Sequence, residues 1–516
     1  MFIEYLGHAG FTVSQGSTVL LIDPWPSPSG AFDGAWFQLP CNHHLASATI
    51  AQLTGARHRH IYVSHEHQDH FDAAFLTRLV PLQPTVLVPR FRVAGFGDAL
   101  RSLGFEQVVE LADEDMVEAG DLRLRLFVDD GALNRDSAIL VDDGQSRFLD
   151  LNDCKIYDRM HHIRERFGPV DILACQFSGA SWHPVCYEYP EAAYRHVSRR
   201  KRLGKFRSVG EALALLGPRR YFPSAGPACF LDPDLLALNF EEEGIFPSSA
   251  DIATFLRKGA VAAEVDEIMP GDVFDAALDC FTVRGPVRLT EVMRRPYIED
   301  YARRMATTVE RLKRTCPPAT AAEILDGLLV ALAEKLQHFA PSSSLAHDLY
   351  VGLFELPDRF VHVDLGRRCA VMASALPEDG FDRVLLPAWQ VERLLDGAIG
   401  WADLTLTFRA RIRRVPDQYN TLVNGFIVAE PHELADLVAR VEAFRSSVER
   451  VVVEVDGAPY EINRSCPHQG ADLSYGWEDA GHWVCPRHGW RFDLESGGRC
   501  HMSPDTVHAL RVDAEG

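Results

Sequence analysis

Two short stretches of this 516-residue chain concentrate side chains that bind metals. The first, Ser64-His65-Glu66-His67-Gln68-Asp69-His70, follows an apolar run that ends at Val63. At a strand end, His65 and His67 point the same way because side chains alternate with a period of two. Asp69 and His70 fall where the chain should turn into a helix over Phe71 to Val80. The loop can offer two imidazoles to one cation, and a carboxylate with a third imidazole to the same or a second one. The second stretch holds Cys466-Pro467-His468 and, after a gap of sixteen residues, Cys485-Pro486-Arg487-His488. Each pair lies in a Pro/Gly turn, so two thiolates and two imidazoles are offered to one centre, which a single zinc ion could also satisfy.

The elements that must position the first loop are short. Met1 to Leu6, Phe11 to Ser14 and Thr18 to Ile22 read as strands punctuated by Gly7, Gly10 and Gly16. Helical and strand patterns then alternate: Phe71 to Val80, Thr85 to Val88, Phe96 to Leu103 and Gln107 to Leu111, followed by strands at Leu122 to Val128, Ala138 to Val141 and Arg147 to Leu151. This is α/β layering. His8, in Gly7-His8-Ala9-Gly10, and Asp23, after Ile22, lie at ends where a side chain could face a cleft. Leu149-Asp150-Leu151-Asn152-Asp153 closes a buried-looking strand in polar residues. Gln176 to Pro184 follows the apolar run Val170 to Ala174, so His183 is a candidate ligand, acid/base or substrate contact. His161 and His162 lie in an Arg-rich helical stretch and read as surface residues.

The first loop resembles the H-x-H-x-D-H signature of the metallo-β-lactamase fold, whose metal site lies at strand ends between two sheets. Phe2 to Pro24 is similar to the opening hairpins of the branch that contains lactonases and phosphodiesterases, where the Gly-His pair lies near the metals; this implies a site role for His8. The resemblance also makes Asp153 a ligand that bridges or caps the site. Typical two-zinc members carry a further histidine about twenty residues before that aspartate and a late one in a Pro-Ser-His setting. Here no histidine stands between His70 and His161, the matching stretch offers Asn134 or Asp136, and Pro223-Ser224-Ala225 offers alanine. Fewer nitrogens and more carboxylates suit non-haem iron, mononuclear or dinuclear, better than zinc.

The chain reads as multidomain, an αββα metallo-β-lactamase-like sandwich over 1–275 with a mixed α+β middle domain over 276–445 and a small all-β domain over 446–516. In the middle, Tyr297 to Arg314 and Ala321 to Phe339 show helical periodicity, separated by Pro317-Pro318; a turn is expected at Pro341-Ser342-Ser343-Ser344. Strands at Leu349 to Leu356, Phe360 to Asp364 and Ala370 to Ala373 precede a helix over Leu386 to Gly397. This texture loosely resembles sterol-carrier-like domains and implies a cleft wall or an assembly surface. Val451 to Val455 and Tyr460 to Asn463 flank Asp456-Gly457, a hairpin signal.

The Cys-x-His and Cys-x-x-His loops, with the Gly489-Trp490-Arg491-Phe492-Asp493 tail, resemble a Rieske [2Fe–2S] domain. The resemblance implies that Cys466 and Cys485 hold one iron and His468 and His488 the other, with exposed imidazole edges. Ala471 and Arg487 stand where respiratory Rieske proteins carry a disulfide, so the type is that of oxygenases and ferredoxins; Cys500 is left over as a buried thiol. Together the two motifs resemble the CMP-N-acetylneuraminate hydroxylase family, although that family's animal members place the Rieske domain first. The resemblance implies an iron-dependent oxygenase. Electrons from a ferredoxin or flavin reductase would reach an iron at His65, His67, Asp69, His70, Asp153 and Asp136, directly or across a homo-oligomer, to activate O2 beside a small-molecule substrate. The alternatives are a metallo-hydrolase of lactonase or phosphodiesterase type with an appended cluster, and an electron-transfer module.

The composition fits this reading. With 52 Lys and Arg against 73 Asp and Glu, the net charge of −21 argues against nucleic acid as the main partner. No apolar run is long enough to span a membrane. Met1-Phe2-Ile3-Glu4 reads into a strand rather than a secretion signal, and eleven scattered cysteines suggest reduced thiols, so a cytoplasmic protein is expected.

Overall fold

The computed structural model describes residues 1–313, 320–341, 345 and 347–512. Pro317-Pro318 and Ser342 to Ser344 lie outside the described residues. The chain divides into two compact units: residues 1–130, 134–180 and 198–310 form one, and 131–133, 181–197 and 311–516 the other.

The first unit holds two sheets. Strands β1 (Phe2–Gly7), β2 (Gly10–Gln15), β3 (Thr18–Ile22), β4 (His58–Tyr62), β5 (Thr85–Pro89) and β6 (Val108–Leu111) run side by side in that order. The second sheet takes β7 (Met116–Ala119), β8 (Leu122–Asp130), β9 (Arg135–Asp142), β10 (Arg147–Asp150), β11 (Ile172–Gln176), β12 (Arg220–Ser224) and β13 (Glu264–Val265), again in chain order. β14 (Val273–Asp275) and β15 (Cys280–Val283) return to the free edge of the first sheet beside β1.

Three apolar layers show why the sheets stack. Alternate residues such as Phe11, Leu20, Ile22 and Tyr62 meet Leu124, Leu126, Ile139 and Phe148 between the sheets. The opposite faces are covered by helices. Leu21, Ile61 and Val86 pack on Phe75, Leu76 and Leu100, while Leu149, Leu173 and Tyr221 pack on Ile163, Phe206 and Ile252. A strand buried on both faces reads as a continuous apolar run. The result is the αββα sandwich expected from the sequence.

The expected helix over Phe71 to Val80 forms as Ala73–Leu79. It starts late because Asp72 caps it, accepting from the Phe75 N–H at 3.0 Å. The strand whose apolar run was expected to end at Val63 ends at Tyr62, and His65 and His67 lie in the loop that follows, their rings 4.5 Å apart. The helix Glu191–Leu216, which the sequence reading did not isolate, runs from the second unit into the first.

In the second unit, β16 (Asp348–Leu353), β17 (Phe360–Asp364), β18 (Cys369–Ala373), β19 (Phe381–Leu386) and β20 (Arg411–Val415) form a sheet in the order β18-β17-β16-β19-β20. Helix Ala321–Gln337 opens with a capping box made by Thr320 and Glu323 and buries Ile324, Leu325, Leu328, Leu332 and Leu336. The last part of the unit is small and all-β. The hairpin of β21 (Arg450–Val455) and β22 (Ala458–Asn463) turns at Asp456-Gly457, both with positive φ, as a type I′ turn needs. A four-stranded sheet, β23 (Trp477–Asp479), β24 (His482–Val484), β25 (Arg491–Asp493) and β26 (Arg499–Cys500), completes it, with β27 (Leu510–Arg511) on β22. Among the described residues no helix is long and apolar enough to cross a membrane.

Candidate metal centre and cluster-binding loops

In the first unit the C-terminal ends of parallel strands converge. β3 pairs with β4, and β10 with β11 and β11 with β12, all in parallel. Asp23 leaves β3, the histidine loop follows β4, Asp153 follows β10, Gln176 ends β11 and Ala225 follows β12. Open α/β sheets bind ligands at such ends. His8 arrives from the tight β1–β2 turn. Its φ is 52°, and its carbonyl accepts from the Ala225 N–H at 2.7 Å and the Tyr5 hydroxyl at 3.0 Å.

These residues meet. His8 Nε2 lies 2.8 Å from Asp69 Oδ2. His70 Nε2 lies 3.7 Å from Asp69 Oδ2 and 3.8 Å from Asp153 Oδ1. His65 Nδ1 lies 3.2 Å from Asp136 Oδ1, and His65 Nε2 2.8 Å from His67 Nδ1. Of the two oxygen candidates in the β8–β9 region, Asp136 is buried beside His65, whereas Asn134 is exposed. Two sets, His8 with Asp69 and His70, and His65 with His70 and Asp153, each bring one ligand atom per residue to within 4.8 Å of one another.

The donor set fits a metal ion. Among the described residues, His70 Nε2 and Asp153 Oδ1 are buried without a hydrogen-bond partner, and buried polar atoms are normally satisfied. Their 3.8 Å separation suits two ligands of one ion with bonds of about 2.0–2.2 Å. Asp23, which the sequence reading did not place among the site residues, fixes the geometry. Its Oδ2 lies 2.8 Å from His70 Nδ1 and accepts the Ser64 hydroxyl at 2.6 Å, and its Oδ1 accepts the Ser64 N–H at 2.8 Å. A proton on Nδ1 shared with Asp23 leaves the Nε2 lone pair aimed at the gap, the usual support of a ligating histidine. The only sequence signal for Asp23 is its position after a strand.

Charge balance agrees. Burial, with the charge of His65, pushes the His67 imidazole down to about 3, so it stays neutral. Burial opposes a charge on His70, but Asp69, Asp23 and Asp153 outweigh it and hold its proton well above the ordinary imidazole range. Burial likewise opposes ionisation of Asp69, yet His70 and His8 keep its carboxyl below the usual carboxylate range. Burial raises the Asp136 carboxyl despite His65. A divalent cation would displace such protons, which is why metal binding releases them.

An aromatic cover closes one side. The His8 ring meets Trp25 at 5.3 Å and Trp36 at 6.4 Å, and Phe32 meets Trp36 at 4.9 Å and His67 at 6.2 Å. The Phe32 N–H donates to Gln68 Oε1, inside the histidine loop, at 2.8 Å. Lys205, also unmarked in the sequence reading, donates from Nζ to Gln176 Oε1 at 2.8 Å and lies 5.3 Å from the Tyr157 ring. Burial and the charge of Lys155 push its ammonium down to about 7, against Asp153 and Asp136 among the opposing charges.

The cysteine loops of the second unit are near-repeats. The Gly470 N–H donates to the Cys466 carbonyl at 2.8 Å, and the Gly489 N–H to the Cys485 carbonyl at 3.0 Å. The Cys466 N–H donates to Ala471 at 2.9 Å and the Cys485 N–H to Trp490 at 2.8 Å. Both glycines take positive φ, 74° and 67°, which an L side chain resists. Both thiols are fully buried and within hydrogen-bond reach of each other, and the His468 and His488 rings are 4.8 Å apart. Residues 425–512 match the Rieske [2Fe-2S] domain family. The C-terminal module is a Rieske domain. Two buried thiols and two adjacent imidazoles fit its cluster. Cys500 is buried there as a free thiol, as expected. His468 departs from the expected exposed edge: it is 6% exposed, while His488 is half-buried.

His183 is the remaining histidine that the sequence singles out. It belongs to the second unit, where its Nε2 lies 3.1 Å from the Tyr189 hydroxyl. His161 and His162 carry helix-surface ion pairs with Glu165 and Glu114.

Relatives extend beyond the Rieske domain. A Rieske 2Fe-2S iron-sulfur protein of Mycolicibacterium smegmatis is 29% identical over 536 residues, covering 97% of this chain and 98% of that protein. The 4-amino-L-phenylalanyl-[CmlP-peptidyl-carrier-protein] 3-hydroxylase of Streptomyces venezuelae is 30% identical over 233 residues, 42% of each chain. Among solved structures, CmlA, a diiron β-hydroxylase from Streptomyces venezuelae, aligns with a TM-score of 0.35 at 20% identity over 52% of this chain and 53% of that one.

Proposed function

We propose that this chain is an iron-dependent oxygenase in which the Rieske domain passes electrons to a non-haem iron centre that oxidises a small organic substrate with O2. The observation that carries this is the pairing, on one chain, of a Rieske domain with a buried His/Asp centre whose His70 Nε2 and Asp153 Oδ1 have no hydrogen-bond partner among the described residues. A hydrolytic metal centre needs a Lewis acid and an activated water but no electrons. His65, His67, Asp69, His70, Asp136 and Asp153 would hold the iron, with His8 beside Asp69. Bound there, the iron supplies dioxygen activation, and the cluster at Cys466, His468, Cys485 and His488 supplies electrons one at a time.

The chain's own residues do the rest. Asp23 holds the His70 tautomer, and burial keeps His67 neutral and ready to ligate. Trp25, Trp36 and Phe32 exclude water from the histidine side. The Asp153 side chain, 14% exposed against 3% for Asp69 and none for His70, is the most open of these three. Among the described residues the Lys205 amine donates to Gln176 Oε1, and an anionic group on the substrate would be drawn to it. In this reading residues 1–275 are the catalytic part, 276–445 the middle part and 446–516 the electron-transfer part, served in the cytoplasm by a ferredoxin or a flavin reductase.

Metal analysis of the purified full chain tests the proposal. More iron than the two atoms of the cluster, with little zinc, is expected. Cluster iron alone with zinc in the other centre would favour the metallo-hydrolase reading. NADH-coupled oxygen uptake should require both centres.

A further inference from the structure

The two histidines of the Rieske cluster have different surroundings, and one residue that makes the difference lies outside the residues that match the domain. His468 is 6% exposed and lies face to face with Trp490, ring centroids 4.2 Å apart and planes 10° apart. The Tyr419 ring stands edge-on to both, 5.5 Å from His468 and 5.5 Å from Trp490. Tyr419 precedes the matched residues 425–512. It is the residue before Asn420, whose side chain caps helix Thr421–Val428, and its own N–H donates to the Met502 carbonyl at 2.6 Å.

Behind Tyr419 runs a connected set of groups within the same unit. The Arg414 guanidinium lies 6.0 Å from the Tyr419 ring and 4.6 Å from the Tyr187 ring. Its Nη2 and Nε donate to Asp417 Oδ1 at 2.7 Å and 3.0 Å. The Tyr189 hydroxyl donates to Asp417 Oδ2 at 2.9 Å, and His183 Nε2 lies 3.1 Å from that hydroxyl. The Arg414 side chain is 5% exposed, so the set is anchored rather than loose on the surface.

We propose that Tyr419 is a positioning residue for the cluster ligand His468: backed by Arg414, Asp417, Tyr189 and His183, it holds that imidazole against Trp490 and keeps water from it, so that His468 is the dry ligand and His488 the wet one. The proposal rests on the Rieske domain alone and stands whether or not the first unit activates O2. The physical consequence is a lowered potential. A cluster with two thiolates and two neutral imidazoles is formally neutral when oxidised and gains one negative charge on reduction. Water beside a ligand favours the more charged state, and solvent exposure is among the settings of such potentials.

The test uses the full chain with its cluster in place. Tyr419→Ala, which opens His468 to water, is expected to raise the cluster's midpoint potential. Tyr419→Phe, which keeps the ring, is expected to leave it at the wild-type value. A Tyr419→Ala protein that keeps its Rieske visible spectrum with an unshifted potential overturns the proposal, and so does an equal shift in Tyr419→Phe, which would place the effect in the hydroxyl. Pulsed EPR of the reduced wild-type protein after exchange into D2O needs no variant. Solvent deuterons beside one of the two coordinated imidazoles are expected, and equal hydration of both overturns the proposal.

Discussion

The two candidate centres are assembled in contrasting ways. The cluster loops take every ligand from one stretch, Cys466 to His488, and each ligand pair sits in a turn closed by its own backbone hydrogen bonds. The metal centre takes His8 from a hairpin, Asp23 and the histidine loop from the first sheet, and Asp136 and Asp153 from the second. A local site forms wherever its Pro and Gly turns form. A dispersed site exists only when two sheets stack in register, so it inherits the whole sandwich as its support. Protection does not separate them: His468 is buried and His488 half-buried in one, while His65, Asp69 and His70 are buried and His67 and Asp153 half-buried in the other.

The largest effects should show that the two centres are separable. Cys485→Ala is expected to remove the cluster's visible and EPR signals while leaving the other metal bound. His70→Ala is expected to do the reverse, and loss of both centres in either variant would break the contrast. His468→Cys should retain a coloured protein with a lower potential, because the histidine pair raises it, and should abolish turnover.

Asp23→Asn probes the support of the dispersed site without removing a candidate ligand. It should weaken metal affinity by about 10–100-fold, the usual cost of losing such a partner of a ligating histidine, with the Rieske spectrum unchanged. Equilibrium dialysis against a competing chelator measures it. If Lys205 meets an anionic substrate group, Lys205→Met should raise KM by about 10–100-fold, as the loss of a charged hydrogen bond of ~1.5–3 kcal/mol implies, with kcat little changed.

The smallest effects separate the two cluster loops. An added Cβ at Gly470 would meet Phe444 ring atoms at 2.3–2.8 Å, whereas at Gly489 it meets nothing within 4 Å. Both glycines have positive φ, so each alanine costs about 1–2 kcal/mol, and Gly470→Ala should cost about 1–3 kcal/mol more from overpacking. Chemical denaturation followed at the cluster absorbance would show it, and equal costs would mean that Phe444 yields.

Much was legible without coordinates because it depended on local rules. Strand β17 falls at Phe360–Asp364 as expected, and the Asp456-Gly457 turn closes its hairpin. The four candidate cluster ligands lie in turns that their own Pro and Gly residues shape. In the dispersed site, the histidine loop could be read for the same reason, and Asp153 could be placed only by resemblance.

Other features depend on which distant segments the fold makes neighbours. Asp23 is marked in the chain by its place after a strand alone, and nothing near Lys205 marks it; the parallel pairing of β3 with β4 puts the first beside Ser64 and His70, and packing of a long helix on the second sheet puts the other at Gln176. Asp136 rather than Asn134 lines the site because Asp136 lies within β9 and is buried, whereas Asn134 precedes the strand and is exposed. His183, expected near the cleft because it follows β11, is grouped with the second unit, where Tyr189 is its neighbour, a contact that spacing does not reveal. Spacing along the chain thus determined what each loop could bind, since turns and alternation act over a few residues. Which groups surround each loop was left to the stacking of sheets and helices, whose contacts join residues far apart in the chain, such as Tyr62 and Ser137, Arg220 and Asp279, or His70 and Asp23.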